Sequence, residues 1–99
     1  NCDVQVVTET TKRPLRPRLD ICSHSLTGFE WGYGGSGPAQ LALALVADCC
    51  GEKMAIAPIY QRVKRDMESG LPHDGWMLTE EQIRYAVRIA NNEMEGVCQ

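Results

Sequence analysis

Residues 28–47 read Gly-Phe-Glu-Trp-Gly-Tyr-Gly-Gly-Ser-Gly-Pro-Ala-Gln-Leu-Ala-Leu-Ala-Leu-Val-Ala. The first half is a loop crowded with glycine and aromatic residues, and the second half is apolar and long enough for a helix. Pro38 suits the first turn of that helix, where its missing N–H group is not needed, and Ser36 or Gly37 is placed as the N-cap. Residues 41–47 leave no polar face, so we expect the helix to be covered on all sides.

The residues after this helix predict a second one. Gly51 suits a left-handed stop at the end of the first helix. Ile56, Ile59 or Tyr60, Val63 and Met67 then recur at three- and four-residue steps, which is the helical period. Pro58 is tolerated only in a first turn, so we expect this helix to begin near Ala55–Ala57 and to end at Gly70.

The third helix has the clearest local signal. Thr79 and Gln82 form a capping box, in which each side chain bonds the backbone N–H group of the other. Leu78 and Ile83 are spaced as the hydrophobic staple that accompanies such a box. The predicted apolar face of this helix consists of Ile83, Ala86, Val87, Ala90 and Met94.

The N-terminal third predicts strands. Apolar and polar residues alternate over Asp3–Thr8 and again over Leu19–Cys22, so we expect two strands that form a hairpin. Glu9–Arg18 contains two prolines and is predicted as a loop or a frayed strand edge. Phe29–Trp31 alternates in the same way and is a candidate third strand. The predicted fold is α+β: a small antiparallel N-terminal sheet of two or three strands on three helices, with the first helix central and buried.

Composition places the chain among ordinary soluble domains. The 99 residues are expected to form a single domain over residues 1–99, and the net charge of −3 gives no general attraction to nucleic acid or anionic membranes. No apolar run approaches the length of a membrane-spanning helix, and the first residues do not follow the order of a signal peptide. We therefore expect a cytoplasmic protein with no membrane partner.

The five cysteines do not form a recognisable framework. Cys2, Cys22, Cys49, Cys50 and Cys98 are an odd number and include no C-x-x-C pair. Reduced thiols are therefore expected, and neither a metal site nor a cofactor is predicted.

The spacing of the glycines in this loop is similar to that of phosphate-binding loops. Gly32, Gly34 and Gly37 satisfy G-x-G-x-x-G, but a second helix and not a parallel strand follows, so a dinucleotide fold is disfavoured. Pro38 and Ala39 stand where a P-loop requires lysine and a hydroxyl group, which excludes a nucleoside triphosphatase.

The same loop is the candidate binding surface. Trp31 and Tyr33 either clamp the sheet onto the first helix together with Phe29, or line the mouth of a pocket whose floor is the helix start. In the second case the free N–H groups of the helix would hold a carboxylate, a phosphate or a partner's backbone. The candidate ligand-binding residues are Trp31, Tyr33, Gly34, Gly35, Ser36 and Gly37.

Two other chemistries have weaker signals. Ser36, His73 and Asp74 are the candidate catalytic residues of a small enzyme or phosphate-handling protein, although Pro38 stands where a nucleophile elbow has its final glycine. Lys12, Arg13, Arg16 and Arg18 form a basic segment that could contact nucleic acid. We favour the interpretation that these four charges protect the edge of the sheet from pairing with another chain.

The segment Ser25–Ala47 resembles an uncharacterised family of small bacterial, archaeal and phage proteins. The resemblance extends over roughly residues 20–88 and includes Tyr60-Gln61, Lys64, Leu71-Pro72 and Trp76. It implies no activity, but the phage members imply an accessory gene of a mobile element. The leading hypothesis is a non-enzymatic protein that binds a protein partner or a small ligand through Trp31–Ser36, and a homodimer through an open sheet edge is a further expectation.

Overall fold

The computed structural model of the chain describes residues 4–24, 29, 36–67, 71–72 and 74–97, with the side chains of Ser36 and residues 93–97 left aside. Over these residues the fold is α+β, as the sequence predicts. The elements in chain order are β1 (Gln5–Val7), β2 (Lys12–Pro14), α1 (Ser36–Cys50), a 3₁₀ turn (Glu52–Met54), α2 (Ala57–Met67) and α3 (Glu80–Val97).

The predicted hairpin is present, but its second strand is not the predicted one. β2 pairs antiparallel with β1 in the register Gln5↔Pro14, Val6↔Arg13 and Val7↔Lys12, so it lies inside the segment predicted as a loop. Thr8 closes the turn, because its hydroxyl accepts a hydrogen bond from the Thr11 N–H group at 2.9 Å. Two prolines and a run of positive charge made this strand difficult to predict from local sequence.

Residues 19–22, predicted as the second strand, form a turn instead. Arg18 has a φ of 56°, and its carbonyl oxygen accepts a hydrogen bond from the Ile21 N–H group at 3.1 Å. The Arg18 guanidinium also bonds both carboxylate oxygens of Asp20, at 3.0 and 2.9 Å. These local bonds fold the segment back on itself, so the short alternation of Leu19 and Ile21 does not produce an extended strand.

Helix α1 is the centre of the core. It begins at Ser36, so Pro38 lies in the first turn as predicted, and every residue from Gly37 to Ala47 is buried. The helix ends at Cys50, and Gly51 has φ 95° and ψ 162°, a positive-φ conformation that glycine adopts most readily. Burial of residues 37–47 on all sides confirms the prediction from the apolar sequence of α1.

Helices α2 and α3 pack against α1 and against each other. In α2 the buried face is formed by Ile59, Tyr60 and Val63, and Pro58 lies in the first turn. α3 begins with the predicted capping box: Thr79 N donates to Gln82 Oε1 at 2.8 Å, and Gln82 N donates to Thr79 Oγ1 at 3.1 Å.

Several predicted features lie partly or wholly outside the described residues. The end of α2 at Gly70 and the side chain of Met94 lie outside the described residues. Phe29 is buried in the core and occupies an isolated β-bridge, whereas the remainder of the predicted third strand lies outside them. Of the helices described, none is both long and apolar enough to cross a membrane.

Candidate functional site

A groove of about 840 Å³ lies between the hairpin and the segment that leads into α3. One wall is β1 with the residues on either side of it, and the other is residues 74–78 with the first turns of α3. The outer face of α1 forms the floor through Leu45, Asp48 and Cys49. The site therefore combines three parts of the chain that are far apart in sequence: the hairpin, the end of α1 and residues 74–84.

Apolar side chains contribute much of the two walls. Val4 and Val6 are half-buried against the core, and Trp76 and Leu78 are half-buried on the opposite side. Val7 and Met77 are 68% and 86% exposed, so they present apolar surface that the fold itself does not use.

Two ion pairs lie in the polar part of the groove. Arg13 Nη2 lies 2.7 Å from Asp48 Oδ1 and ties the hairpin to α1. Within α3, Arg84 Nη2 lies 2.6 Å from Glu80 Oε1. With Asp74, the described lining contains two arginines and three carboxylates, so its formal charge is −1.

Cys49 is part of the floor but is not an activated nucleophile. Its Sγ atom is 3.6 Å from the carbonyl oxygen of Glu80. Burial, together with the neighbouring Cys50, raises the pKa of the Cys49 thiol to about 12. The thiol is therefore protonated at neutral pH, whereas the thiolate is the reactive form. Among the described residues, no group of three or more His, Cys, Asp or Glu side chains is placed to hold a metal ion.

A second polar cluster surrounds the start of α1. Gln40 is completely buried, although it is a polar residue within an apolar helix. Its Nε2 donates to the carbonyl oxygens of Pro17 at 2.6 Å and Cys22 at 3.1 Å, and its Oε1 accepts from the backbone N–H group of His24 at 2.7 Å. Gln40 thus holds the chain after the hairpin against the central helix. We call these four residues the Gln40 clamp.

The clamp continues to α2 through His24. Its Nε2 lies 2.6 Å from the Tyr60 hydroxyl, and the two rings meet edge to face with centroids 5.5 Å apart. Burial, followed by the nearby Cys22, raises the pKa of Tyr60, so its phenol stays protonated at neutral pH. Sequence patterns did not identify Gln40; a single amide inside a fully buried helix was the available signal, because a buried amide requires hydrogen-bond partners.

The predicted basic segment is divided by the fold. Arg13 bonds Asp48, and Arg18 bonds both Asp20 and Glu52. The hydrogen bonds that the Arg18 guanidinium donates to the carboxylates of Asp20 and Glu52 raise the pKa of Arg18. The other two members, Lys12 and Arg16, are exposed. Two of the four cations predicted for nucleic acid are therefore already paired with carboxylates.

Most of the predicted binding loop lies outside the described residues. This applies to Trp31, Tyr33, Gly34 and Gly35, as well as to the side chain of Ser36. Gly37 is described and is buried in the first turn of α1. Of the predicted catalytic residues, His73 is outside the described part, and Asp74 is exposed on the wall of the groove.

Comparison with known proteins places the chain in a family. A family model with the description "Family of unknown function (DUF6166)" matches residues 2–89. The chain belongs to DUF6166. The DUF6166 match covers the hairpin as well as the helical half, so it is wider than the resemblance over residues 20–88. A search of curated proteins and a search of solved structures each gave no match.

Proposed function

We propose that this DUF6166 member is a non-enzymatic accessory protein of a mobile genetic element that binds a protein partner or a small ligand in the groove between β1 and residues 74–84. The observation that carries the proposal is the groove itself. Its volume of about 840 Å³ lies within the range of about 300–1,000 Å³ that is usual for ligand sites.

The composition of the groove supports binding. Apolar walls supply affinity, while a few fixed charges orient a ligand. Here the exposed side chains of Val7 and Met77 lie near two Arg–carboxylate pairs. Such an arrangement suits a ligand with both apolar and polar groups.

Two further parts of this function are inferred from the sequence: the origin in a mobile element and a second contact surface. The resemblance to phage proteins suggests the mobile element. The loop Trp31–Ser36, which leads into α1, remains a proposed second contact surface for the same partner.

The alternatives have less support. An enzyme that uses Ser36, His73 and Asp74 remains a prediction, and the protonated Cys49 thiol does not add a nucleophile to it. Nucleic-acid binding through the basic segment would have to displace the carboxylates that Arg13 and Arg18 already bond.

A thermal-melt screen tests the proposal. The reduced protein is heated with nucleotides, phosphorylated metabolites, carboxylates, metal ions and short oligonucleotides. A ligand at a hundred times its dissociation constant adds about 2.7 kcal/mol of stability, which is a rise of several degrees in Tm.

Two matched variants locate the site of any ligand that raises the Tm. Met77→Ser removes an exposed apolar side chain from the groove wall, and Tyr85→Ser removes an exposed aromatic side chain on α3 outside the lining. We expect the first to reduce the ligand-induced shift and the second to preserve it. The reverse pattern, or chemical turnover of the ligand, would contradict a binding function in the groove.

A further inference from the structure

The edge of β1 carries a set of backbone groups that the hairpin does not use. Leu15 N donates to Val4 O at 2.9 Å, and Thr8 N donates to Thr11 O at 2.9 Å, so these two opposed pairs are the hydrogen-bonded kind. In an antiparallel ladder such pairs alternate with non-hydrogen-bonded ones. Gln5 and Val7 therefore direct their N–H and C=O groups away from β2.

The two edges of the hairpin are protected differently. On the outer edge of β2, Pro14 has no N–H group to offer and Lys12 adds a charge, and both features prevent strand pairing. On the edge of β1, the corresponding positions are Gln5 and Val7, which keep their donors and bear no charge. The described sheet consists of the two strands β1 and β2.

The unprotected edge faces the groove. All five residues from Val4 to Thr8 line it, although successive side chains of a strand point to opposite faces. Because consecutive residues line the groove, the backbone of β1 borders it together with the face that carries Val6 and Arg13. At about 3.4 Å per residue, these five residues offer an edge of about 17 Å, enough for one short strand.

We propose that the occupant of the groove is an extended, basic segment of a partner protein, which adds to β1 as a third strand. This inference rests on the proposed binding function and specifies its partner. The N–H and C=O groups of Gln5 and Val7 would bond the backbone of the segment. Alternate side chains of the segment would contact the apolar wall that contains Trp76 and Met77.

Charge complementarity selects a basic segment. The described lining has a formal charge of −1, and Arg13 and Arg84 are each engaged with a carboxylate. Asp74 is exposed on the same wall and is in neither of these pairs. A lysine or arginine of the incoming strand opposite Asp74 would balance the charge of the groove.

Selection from a displayed library of random peptides, each about ten residues long and thus longer than a typical strand, supplies the probe. We expect enriched peptides with alternating apolar residues and at least one lysine or arginine. On binding, the amide hydrogens of Gln5 and Val7 should become protected from exchange with solvent. The amide of Lys12, on the opposite edge, should exchange as before.

A matched pair of proline variants tests the edge itself. The variants are Val7→Pro and Lys12→Pro. Val7 and Lys12 lie opposite each other in the hairpin, are exposed, and direct their N–H groups away from it. Val7→Pro removes a donor from the groove edge and should weaken peptide binding by at least about tenfold, while Lys12→Pro should leave affinity within about twofold. Thermal melts of both variants establish that the fold is retained.

A peptide-side variant keeps the test independent of protein folding. Two versions of a selected peptide are compared, each methylated on one of the two alternating sets of backbone nitrogens. Methylation of the set that faces β1 should abolish binding, and methylation of the other set should not, because only every second N–H group faces β1. Asp74→Asn should lower affinity by about two- to fivefold and reduce its salt dependence, as expected for an exposed charge.

Three outcomes would overturn the inference. Peptides that bind as helices, or equally well to Val7→Pro, would exclude strand addition. Concentration-dependent dimerisation that Val7→Pro abolishes would assign the edge to a second copy of the chain. If no peptide is enriched while a small ligand raises the Tm through the groove, the binding function stands and the strand-addition inference fails; if neither binds, both fail.

Discussion

Replacement of Gln40 by methionine should remove the hydrogen bonds of the Gln40 clamp with little change in side-chain volume. The amide bonds the Pro17 and Cys22 carbonyl groups and the His24 N–H group, at 2.6, 3.1 and 2.7 Å. Each such bond contributes about 1 kcal/mol net, so their loss costs about 3 kcal/mol. The apolar methionine offsets part of this cost, because it is buried more favourably than an amide.

We therefore expect Gln40→Met to lower the free energy of unfolding by about 2–3 kcal/mol, relative to a usual total of about 5–15 kcal/mol. For a domain of this size, the corresponding decrease in Tm is about 10–20 °C. Urea titration should give a lower midpoint with an unchanged m-value. Exchange of the His24 amide hydrogen should accelerate more than that of amides in α3, because the variant releases this segment first.

Gln61→Met is the matched control, since Gln61 is a half-exposed residue of α2. A surface substitution of this kind changes stability by less than about 0.5 kcal/mol. If Gln40→Met changes the Tm no more than Gln61→Met, the carbonyl groups find water when the amide is removed, and the clamp does not stabilise the fold.

Three other predictions concern separate parts of the structure. Thr79→Ala should lower stability by about 1 kcal/mol, measured by thermal melting, because it leaves the Gln82 N–H group without its cap, whereas Thr79→Ser should be nearly neutral. Iodoacetamide at pH 8 should modify Cys49 at least about tenfold more slowly in the folded protein than in urea, because burial raises the pKa of its thiol and leaves little thiolate; peptide mapping measures the modification. The pKa of Tyr60 is higher in the folded protein than the value of about 10 in the unfolded chain. The stability that this difference provides is present below about pH 10 and is lost as the pH rises through the folded pKa. Tyr60→Phe should therefore reduce the fall in Tm between about pH 9 and 11.

Local signals were sufficient for the helices. The capping box at Thr79 and Gln82 involves residues three positions apart, and the structure has both of its hydrogen bonds. Pro38 and Pro58 each marked a first turn correctly, because proline is excluded from later positions of a helix. Burial of α1 also followed from sequence, since a helix without a polar face has to be covered on all sides.

The second strand was not predictable in this way, because it depends on register and not on composition. Pro14 lies opposite Gln5, between the hydrogen-bonded pairs, so its missing N–H group removes no bond of the hairpin. The same proline in the neighbouring register would interrupt the ladder. Gln40 was missed for a related reason: its partners lie 16 to 23 residues earlier in the chain, and no local pattern contains them.

The groove and the Gln40 clamp are linked through the hairpin, because β1 forms one wall of the groove and the clamp holds the chain that follows the hairpin. Near the start of α1, Gln40 holds the chain that leaves the hairpin, and near its end Asp48 bonds Arg13 of β2. Arg18 bonds Glu52 in the 3₁₀ turn just beyond α1. Polar bonds thus hold the hairpin to the end of the central helix and the chain that follows the hairpin to its start.

This arrangement explains why a fold with a small sheet can hold a strand edge at a defined distance from residues 74–78. If the clamp sets that distance, Gln40→Met should weaken binding of a selected peptide even at temperatures where the variant is fully folded, although Gln40 does not line the groove. Arg13→Met should act in the same direction but more weakly, because its ion pair with Asp48 is partly exposed to solvent. A loss of affinity confined to Arg13→Met would instead indicate that Arg13 contacts the peptide directly and that the clamp serves stability alone.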